Sequence, residues 1–551
     1  MIATLALVTL LAGACGTGGE RPAAEPPARA DAEVEVLRLA GGDFGYPSPF
    51  AWVRGPGWIQ AGYVFDTLIW QDSSGGFIPW LATDWQGSAD AREWRFTLHP
   101  EARWHDGQPV TADDVVFTWR YMTEGPGAQA AGFAARGLDV VQEVVAEGER
   151  EVVFRLARPF AAFEESVAAS VLIVPQHIWA DIADPAKERG PQATMGSGPY
   201  KLEEADPAMG TYLYTAHDQF YLGAPVVKRL EFVPAQDELL ALRRGDVHAA
   251  EVGLEESIPQ EQLTALEQDP AFGRISADGD WNLALHFNLA KGFPYNDVRF
   301  RHAVAYAIDR QDLVDRILFG RGKVGSTGGL APAHPFTIQG LPDYAHNPAE
   351  ARRLLDELGL VDRNGDRFRD LPDGSPWVQE LKASNRFSPK TPELIGEYLR
   401  AVGINTRVVM LDRAAADEAG VQGDYTMQLH GYGGIMGDPD SLRTRFSSQV
   451  RSRSFNRAHG YANERFDQLA QQQLSTIDES RRRDLLAQMQ RIIAEDLPVL
   501  PLYVPDRILF FDRNVFTNWY YTPGCSPCRG SRNKHMYVTG QKIGFEEGAR
   551  R

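Results

Sequence analysis

Apolar positions along this chain alternate, cluster or recur at helical spacing in separate blocks, and the blocks predict strands interleaved with helices. The first block, Ile2 to Ala12, is an apolar run interrupted only by Thr4 and Thr9. It is too short to span a bilayer as a helix and suits the core of a signal peptide. Val34 to Leu39 alternates like a strand. Trp94 to Leu98 and Glu151 to Leu156 do the same, as strands of a half-exposed sheet. Gly41 to Gly57 is dense in Gly, Pro and aromatic residues and predicts an ordered loop, with an apolar run from Val64 to Trp70 after it.

Further on, Thr111 is placed to cap a helix, with Asp114 three residues later at the end that favours negative charge. Gly196-Ser197-Gly198-Pro199-Tyr200 predicts a tight turn entering a strand. Leu239 to Arg244, followed by GDVHAA, reads as helix, turn and strand. Val298 to Phe319 predicts an amphipathic helix pair, and Ala349 to Leu358 and Thr391 to Val402 predict further helices. The last of these leads through Gly403 into a strand, Asn405 to Val409. Arg465 to Glu495 predicts a long helical region. It stops at LPVLPLYVP, where Pro498, Pro501 and Pro505 enforce extended chain. Strands and helices in alternation argue for an α/β architecture.

With 551 residues the chain is long enough for two or three domains with sizeable cores. Its 43% hydrophobic and 24% charged content is ordinary for a globular protein, and no apolar stretch after the first reaches membrane-spanning length. The formal net charge of −18 argues against nucleic-acid binding. Cys15 follows Leu11-Ala12-Gly13-Ala14, similar to a bacterial lipoprotein cleavage box, although the large aliphatic residue lies one place further away than usual. Residues 16 to 31 are rich in Gly, Pro, Ala and Glu and predict a flexible tether. A lipidated Cys15 would hold the body of the protein at the outer face of a membrane.

The other two cysteines, Cys525 and Cys528, form CSPC. A local disulfide is the expectation in an oxidising compartment. A redox motif would need a helix directly after the first cysteine, against which Pro527 and Gly530 argue. Zinc would need two more ligands, and His535 is the nearest candidate.

Six blocks carry a resemblance to one family. They are GGFIPWLATDW (75–85), ARWHDGQPVTADDVVF (102–117), GSGPYKL (196–202), HFNLAKGFPYNDVRFRHAVAYAIDR (286–310), GDPDSL (437–442) and DLPVLPLYVP (496–505). In this order they resemble the bacterial extracellular solute-binding proteins of family 5, which serve peptide, nickel and related ABC importers. The resemblance implies a two-lobed periplasmic-binding-protein fold, type II in its large three-subdomain form, that closes over a ligand by hinge motion. It implies lobe I from residues 32–75, 195–285 and 505–551, a subdomain at 76–194 resting on it, and lobe II from 286–504. The implied function is capture of an oligopeptide-like or other small organic solute and delivery to permease subunits, by a monomer, without chemistry. HExxH, GxSxG and P-loop patterns are absent from the sequence. A secreted hydrolase of a glycan or peptide is the competing reading, and turnover of a bound ligand would distinguish it.

Candidate ligand contacts come from two regions. The loop at 43–58 carries Phe44, Tyr46, Phe50, Trp52 and Trp58. Of these, Tyr46 and Trp52 are the candidate cleft residues, against the alternative of a packed aromatic core. Trp281 precedes the strand that leads to Asn288. Tyr432, Gly433, Gly434, Ile435 and Asp438 lie in a Gly-rich stretch that lets backbone approach a ligand and that matches the family's ligand-contacting loop. The arginines at 443, 445, 451, 453 and 457 read as a solvated face. Asp362, Asn364, Asp366, Asp370 and Asp373 occupy positions 1, 3, 5, 9 and 12 of a calcium-loop spacing. Arg367 stands where such loops carry glycine, and the alternative is a polar turn.

One departure from the family bears on the ligand. Peptide-binding members that hold a free amino terminus place an aspartate three residues before the acidic residue of their DPD or EP step. Here the step is Asp438-Pro439-Asp440, and Ile435 stands at that place. An ammonium sealed from water needs a countercharge. The expectation is therefore a ligand with apolar or sugar faces, such as an oligosaccharide or a blocked or modified peptide.

Overall fold

The computed structural model describes residues 33–539, except 53, 75, 129, 131–136, 253–259, 280, 386, 434–437, 451–456 and 523–532. The signal segment, Cys15 with its tether, and the CSPC pair lie outside the described residues.

Five sheets organise the described residues. The first has the strand order Leu37–Gly41, Arg229–Pro234, Thr211–Ala216, Tyr200–Asp206, parallel in its first pair and antiparallel after it. A short hairpin, Ile69–Gln71 with Phe77–Pro79, leads to a four-stranded antiparallel sheet of Ala82–Gly87, Glu93–Leu98, Glu151–Leu156 and Val141–Ala146. Arg507–Asp512 lies between Ala249–Glu251 and Phe272–Ala277 in a three-stranded sheet. The largest sheet has six strands, in the order Gly322–Val324, Val499–Pro505, Trp281–Phe287, Met427–Gly433, Gln379–Ser384, Thr406–Leu411.

That six-stranded sheet is sandwiched. Leu283, Leu285 and Phe287 point with Met427 and Leu429 into a core shared with the helices Val298–Ala307, Arg310–Ile317, Pro348–Glu357 and Lys390–Ala401. The other face turns Ala284, Tyr432 and Val499 toward Ser441–Phe446, Glu464–Leu474 and Glu479–Asp496. The remaining sheets share a second large core, which also takes in Phe516, Trp519, Met536 and Tyr537 from the end of the chain. No helix among the described residues is long and apolar enough to cross a membrane.

The helix over 298–319 forms as the predicted pair, broken at Ile308 and restarted by the Asp309 cap, whose carboxylate accepts from the Asp312 N–H at 2.9 Å. The predicted region 465–495 is likewise two helices, because Asp478 caps a second one through the Arg481 N–H at 2.8 Å. A larger difference is at 54–64, where loop-like Gly and Pro residues open an α-helix, Arg54–Val64. Proline in a first turn forfeits no intrahelical bond. The Pro-rich segment is a central strand, and its register shifts opposite Leu283 and Ala284, where Pro501 has no N–H to offer the ladder.

The most specific sequence block is scaffolding. The Asp114 carboxylate accepts from the Thr111 N–H (2.9 Å) and hydroxyl (3.0 Å), and its other oxygen accepts from the Gln176 N–H at 2.9 Å. His105 clips this block to the GSGPY turn. Its backbone N–H donates to Gly196 O at 2.8 Å, and Nε2 lies 2.9 Å from Gly198 O. Burial pushes the His105 imidazole down to about 4, so it is neutral at ordinary pH. Gly196 is required where it stands, since a Cβ there would lie 1.9 Å from the Val64 carbonyl oxygen.

The end of the chain is pinned to its beginning. The Lys534 ammonium is 2.8 Å from the Asp66 carboxylate, and both side chains are essentially fully buried. Asp66 also accepts from Trp80 Nε1 (2.6 Å), Ser197 Oγ (2.9 Å) and Tyr221 OH (3.0 Å). Lys534 lies over the rings of Trp70 and Trp80, 4.5 and 5.0 Å from their centroids. Burial pushes its ammonium below the usual lysine range, against the pull of Asp66.

Two outcomes follow for stability. Gly196→Ala is expected to cost about 1–3 kcal/mol through that contact with Val64, read as a lower denaturant midpoint at unchanged slope; an unchanged midpoint would refute the close approach. Lys534→Met should cost roughly 3–5 kcal/mol by leaving Asp66 buried without its countercharge. A variant with wild-type melting would show that water reaches the pair.

Candidate functional site

The expected ligand contacts fall on two sides of the molecule. Tyr46 and Trp52 belong to the loop that precedes the 54–64 helix. The loop closes on itself through the Tyr46 N–H to Ala51 O at 3.1 Å and Trp52 Nε1 to Pro49 O at 3.1 Å. Tyr46 is half-buried beneath the Arg189 guanidinium, 5.5 Å from its ring centroid. It borders a cavity of about 460 Å³ with His105, Thr194 and Lys201. The other aromatics of that loop are structural. Phe50 packs on Trp179 at 4.9 Å, Trp58 stacks on Trp70 at 5.9 Å, and Phe44 stacks on Tyr212 at 6.0 Å.

The second side is at the ends of two central strands of the six-stranded sheet. Trp281 and Gly433 are register partners, and the Trp281 indole lies across Gly431, so close that a Cβ there would sit 2.1 Å from Nε1. Glycine at 431 is what lets the ring lie flat on the strand. The Tyr432 side chain faces the opposite way and is buried. It lies beneath the Arg445 guanidinium at 4.7 Å and edge-on to His286 at 6.1 Å. Arg445 also donates to Gly433 O at 2.6 Å. Burial pushes the His286 imidazole down to about 3, so the ring is neutral. Tyr432 is thus a ceiling for the polar interior of this sheet face, and Trp281 with Gly433 is the pair placed at the strand ends. Gly434 and Ile435 lie outside the described residues.

Asp438 is committed to a partner. Arg482 holds it through two bonds, Nη1 at 2.9 Å and Nη2 at 2.7 Å. Asp440 is held in the same way by Arg443, with both bonds at 2.7 Å, and also accepts from Gln473 Nε2 at 2.6 Å. Arg443 and Arg445 therefore do not form a solvated face, contrary to the sequence expectation. The first neutralises a carboxylate, and the second is buried against Tyr432. The sequence held no local sign of Arg482, which lies 44 positions from Asp438, or of Glu165, whose buried carboxyl faces the same pair.

The calcium spacing closes differently from the expectation. Asp362 accepts from the N–H groups of Gly365 (2.7 Å) and Arg367 (2.9 Å), Asn364 from Asp366, Asp366 from Phe368, and Asp373 from Ser375. The oxygens cap their own backbone instead of converging. Arg367 takes a positive φ of 78°, doing what glycine would have done in a calcium loop. Among the described residues no group of three His, Cys, Asp or Glu side chains is placed to hold a metal ion.

Comparison with known proteins fixes what this geometry belongs to. Residues 76–454 match the model of bacterial extracellular solute-binding proteins, family 5 Middle. The chain belongs to that family. The nickel-binding periplasmic protein of Escherichia coli K12 is 24% identical over 80% of this chain and 83% of its own length. The oligopeptide-binding protein AppA of Bacillus subtilis is 26% identical over 75% of each. NikA from Brucella suis, solved in complex with Fe(III)-EDTA, superposes with a TM-score of 0.78 at 20% identity, covering 91% of this chain and 99% of that one. The fold is the two-lobed α/β fold of this family, and the role is that of an extracytoplasmic solute-binding protein.

Removing divalent cations is the direct check on the 362–373 loop. Millimolar chelator is expected to leave the melting temperature where it is, because a bound native-state ion would have raised it by mass action. A fall that calcium restores would return the cation to this loop.

Proposed function

We propose that this protein captures a small organic solute between its lobes and hands it unchanged to ABC permease subunits, with no chemistry of its own. The observation that carries the reading is the family match over 76–454 together with the two-lobed fold. We further propose that a lipidated Cys15 and the 16–31 tether hold it, as a monomer, at the outer face of the cell membrane.

We assign lobe I to residues 32–75, 195–277 and 507–551, with the 76–194 subdomain on it, and lobe II to about 281–505. Sheet membership supports this division. Trp281–Phe287 is a central strand of the six-stranded sheet, so the first crossing belongs near 278–280 instead of 285. The two crossings run against each other, since a Cβ on Gly279 would lie 1.9 Å from Pro505 O. Such a pair of adjacent strands is where a hinge would bend.

The relatives span metal and peptide ligands: nickel for one, an oligopeptide for another, and an iron chelate in the solved structure. For this chain we propose a ligand without a free amino terminus, such as a blocked or modified peptide or an oligosaccharide. Ile435 offers no charge. The nearest acids, Asp438 and Asp440, are neutralised by Arg482 and Arg443. Asp43 is used by the Gly45 N–H at 3.2 Å. An ammonium brought to any of these three described carboxylates would have to displace a partner already there. Trp281 lying flat over Gly431 suits an apolar or sugar face.

Mass spectrometry of ligand released from the purified, denatured protein tests this reading. Stoichiometric, chemically intact ligand lacking a free α-amine is expected. Turnover of a bound ligand would replace the transport role with a hydrolase. Di- to pentapeptides binding at micromolar affinity or tighter, with binding lost on acetylation, would overturn the ligand class.

A further inference from the structure

Away from Trp281, a second contact joins the 76–194 segment to the helices beneath the six-stranded sheet. The Ala161 N–H donates to Leu474 O at 2.9 Å, and the Leu474 side chain is buried in the core of the first lobe. Four residues on, Glu165 is buried, and one of its carboxyl oxygens, Oε1, has no hydrogen-bond partner. It faces Asp438 from the turn at 438–440 and Arg482 from the helix 479–496. Its neighbour Glu164 is turned away and accepts from Trp85 Nε1 at 2.6 Å. Asp440 behind Asp438 is already occupied by Arg443 and Gln473.

Arg482 is already engaged by other partners. Its Nη1 and Nη2 are bound to Asp438, and its Nε donates to Gln473 Oε1 at 3.1 Å. One guanidinium charge is therefore matched by one carboxylate before Glu165 arrives. An ionised Glu165 would be a second negative charge in a buried contact, met by the Asp438 backbone N–H but with Oε1 left without a partner. A neutral carboxyl is buried there at far lower cost. We propose that this contact is a proton-linked latch: closing the lobes buries Glu165 against Asp438 and takes up one proton, so acidification favours the closed, ligand-holding state. The proposal rests on the hinge-closing role given above.

The direction follows from linkage. Burial first, and then the Asp438 charge, push the Glu165 carboxyl well above the usual carboxylate range in the closed form, with Arg482 opposing. Opening the contact would remove the burial and the Asp438 charge that raise it. The raised group favours closure fully below its open-form value. That advantage is lost as pH rises through its closed-form value. Between those values the closing constant changes by up to about tenfold per pH unit, the limit for one proton.

The Ala161 amide reports closure without any ligand, because its acceptor lies on the other side of the contact. Hydrogen-exchange protection of that amide, corrected for intrinsic exchange, is measured from pH 8 to pH 5 on the full ligand-free protein. Protection in the wild type is expected to rise as pH falls. Glu165→Gln, which keeps shape and removes the charge, should be protected at pH 8 as strongly as the wild type at pH 5, with no slope. Wild-type protection that is flat with pH, or absent throughout, overturns the latch. So does a folded Glu165→Gln protein that is less protected than wild type. Failure of the transport role would show in the released ligand and leave this amide profile untouched.

Discussion

The Asp66–Lys534 pair is the constraint on which the first lobe depends. One carboxylate accepts from four side chains that come from the hairpin region, the GSGPY turn, the segment after the 211–216 strand, and the end of the chain. The Asp66 backbone carbonyl takes a fifth element, through the Ile173 N–H at 2.8 Å. A single buried charge this fully satisfied sets the positions of the hairpin and the end of the chain relative to the ends of two paired strands. Hydrophobic burial supplies the driving force but is not directional. The hydrogen bonds to Asp66 supply the direction, and Trp70 and Trp80 close the ammonium off from water on one side.

The second lobe uses the same economy at its surface-facing end. Two arginines neutralise two aspartates in the 438–440 turn, each through a two-pronged contact that fixes the side chain in the plane of its partner. A turn so clamped is a rigid shoulder beside the 431–433 strand end, where Trp281 lies. Rigidity there matters because a ligand held by few polar groups is selected by the shape those groups keep. The acids of the DPD step act as posts for that shoulder.

How much of this was legible beforehand depended on whether the cause was local. Glu151–Leu156 and Lys390–Ala401 form where periodicity placed them, because one face of each is buried along its whole length. The Thr111–Asp114 cap was readable three residues at a time. The helix at 54–64 was not, since its opening Gly and Pro residues carry loop propensity and tertiary packing of Trp58, Ile59 and Tyr63 overrides it. The calcium spacing left two readings open, because turn-forming Asp and Asn serve backbone N–H groups as readily as they serve a cation. The arginine run misled because burial of Arg445 depends on Tyr432, thirteen positions earlier on another element. Glu165 and Arg482 could not be seen at all, because their meeting is a property of how two distant segments dock.

The Lys534 anchor also orders events in time. The six-stranded sheet draws its strands from an unbroken stretch, 281 to 505, and can finish as soon as that stretch is available. The first lobe cannot. Its three-stranded sheet must wait for Arg507–Asp512, and the Asp66 carboxylate for Lys534, 468 residues further on, before they are complete. A chain threading outward through a membrane would thus carry an unfinished lobe until its last residues arrive.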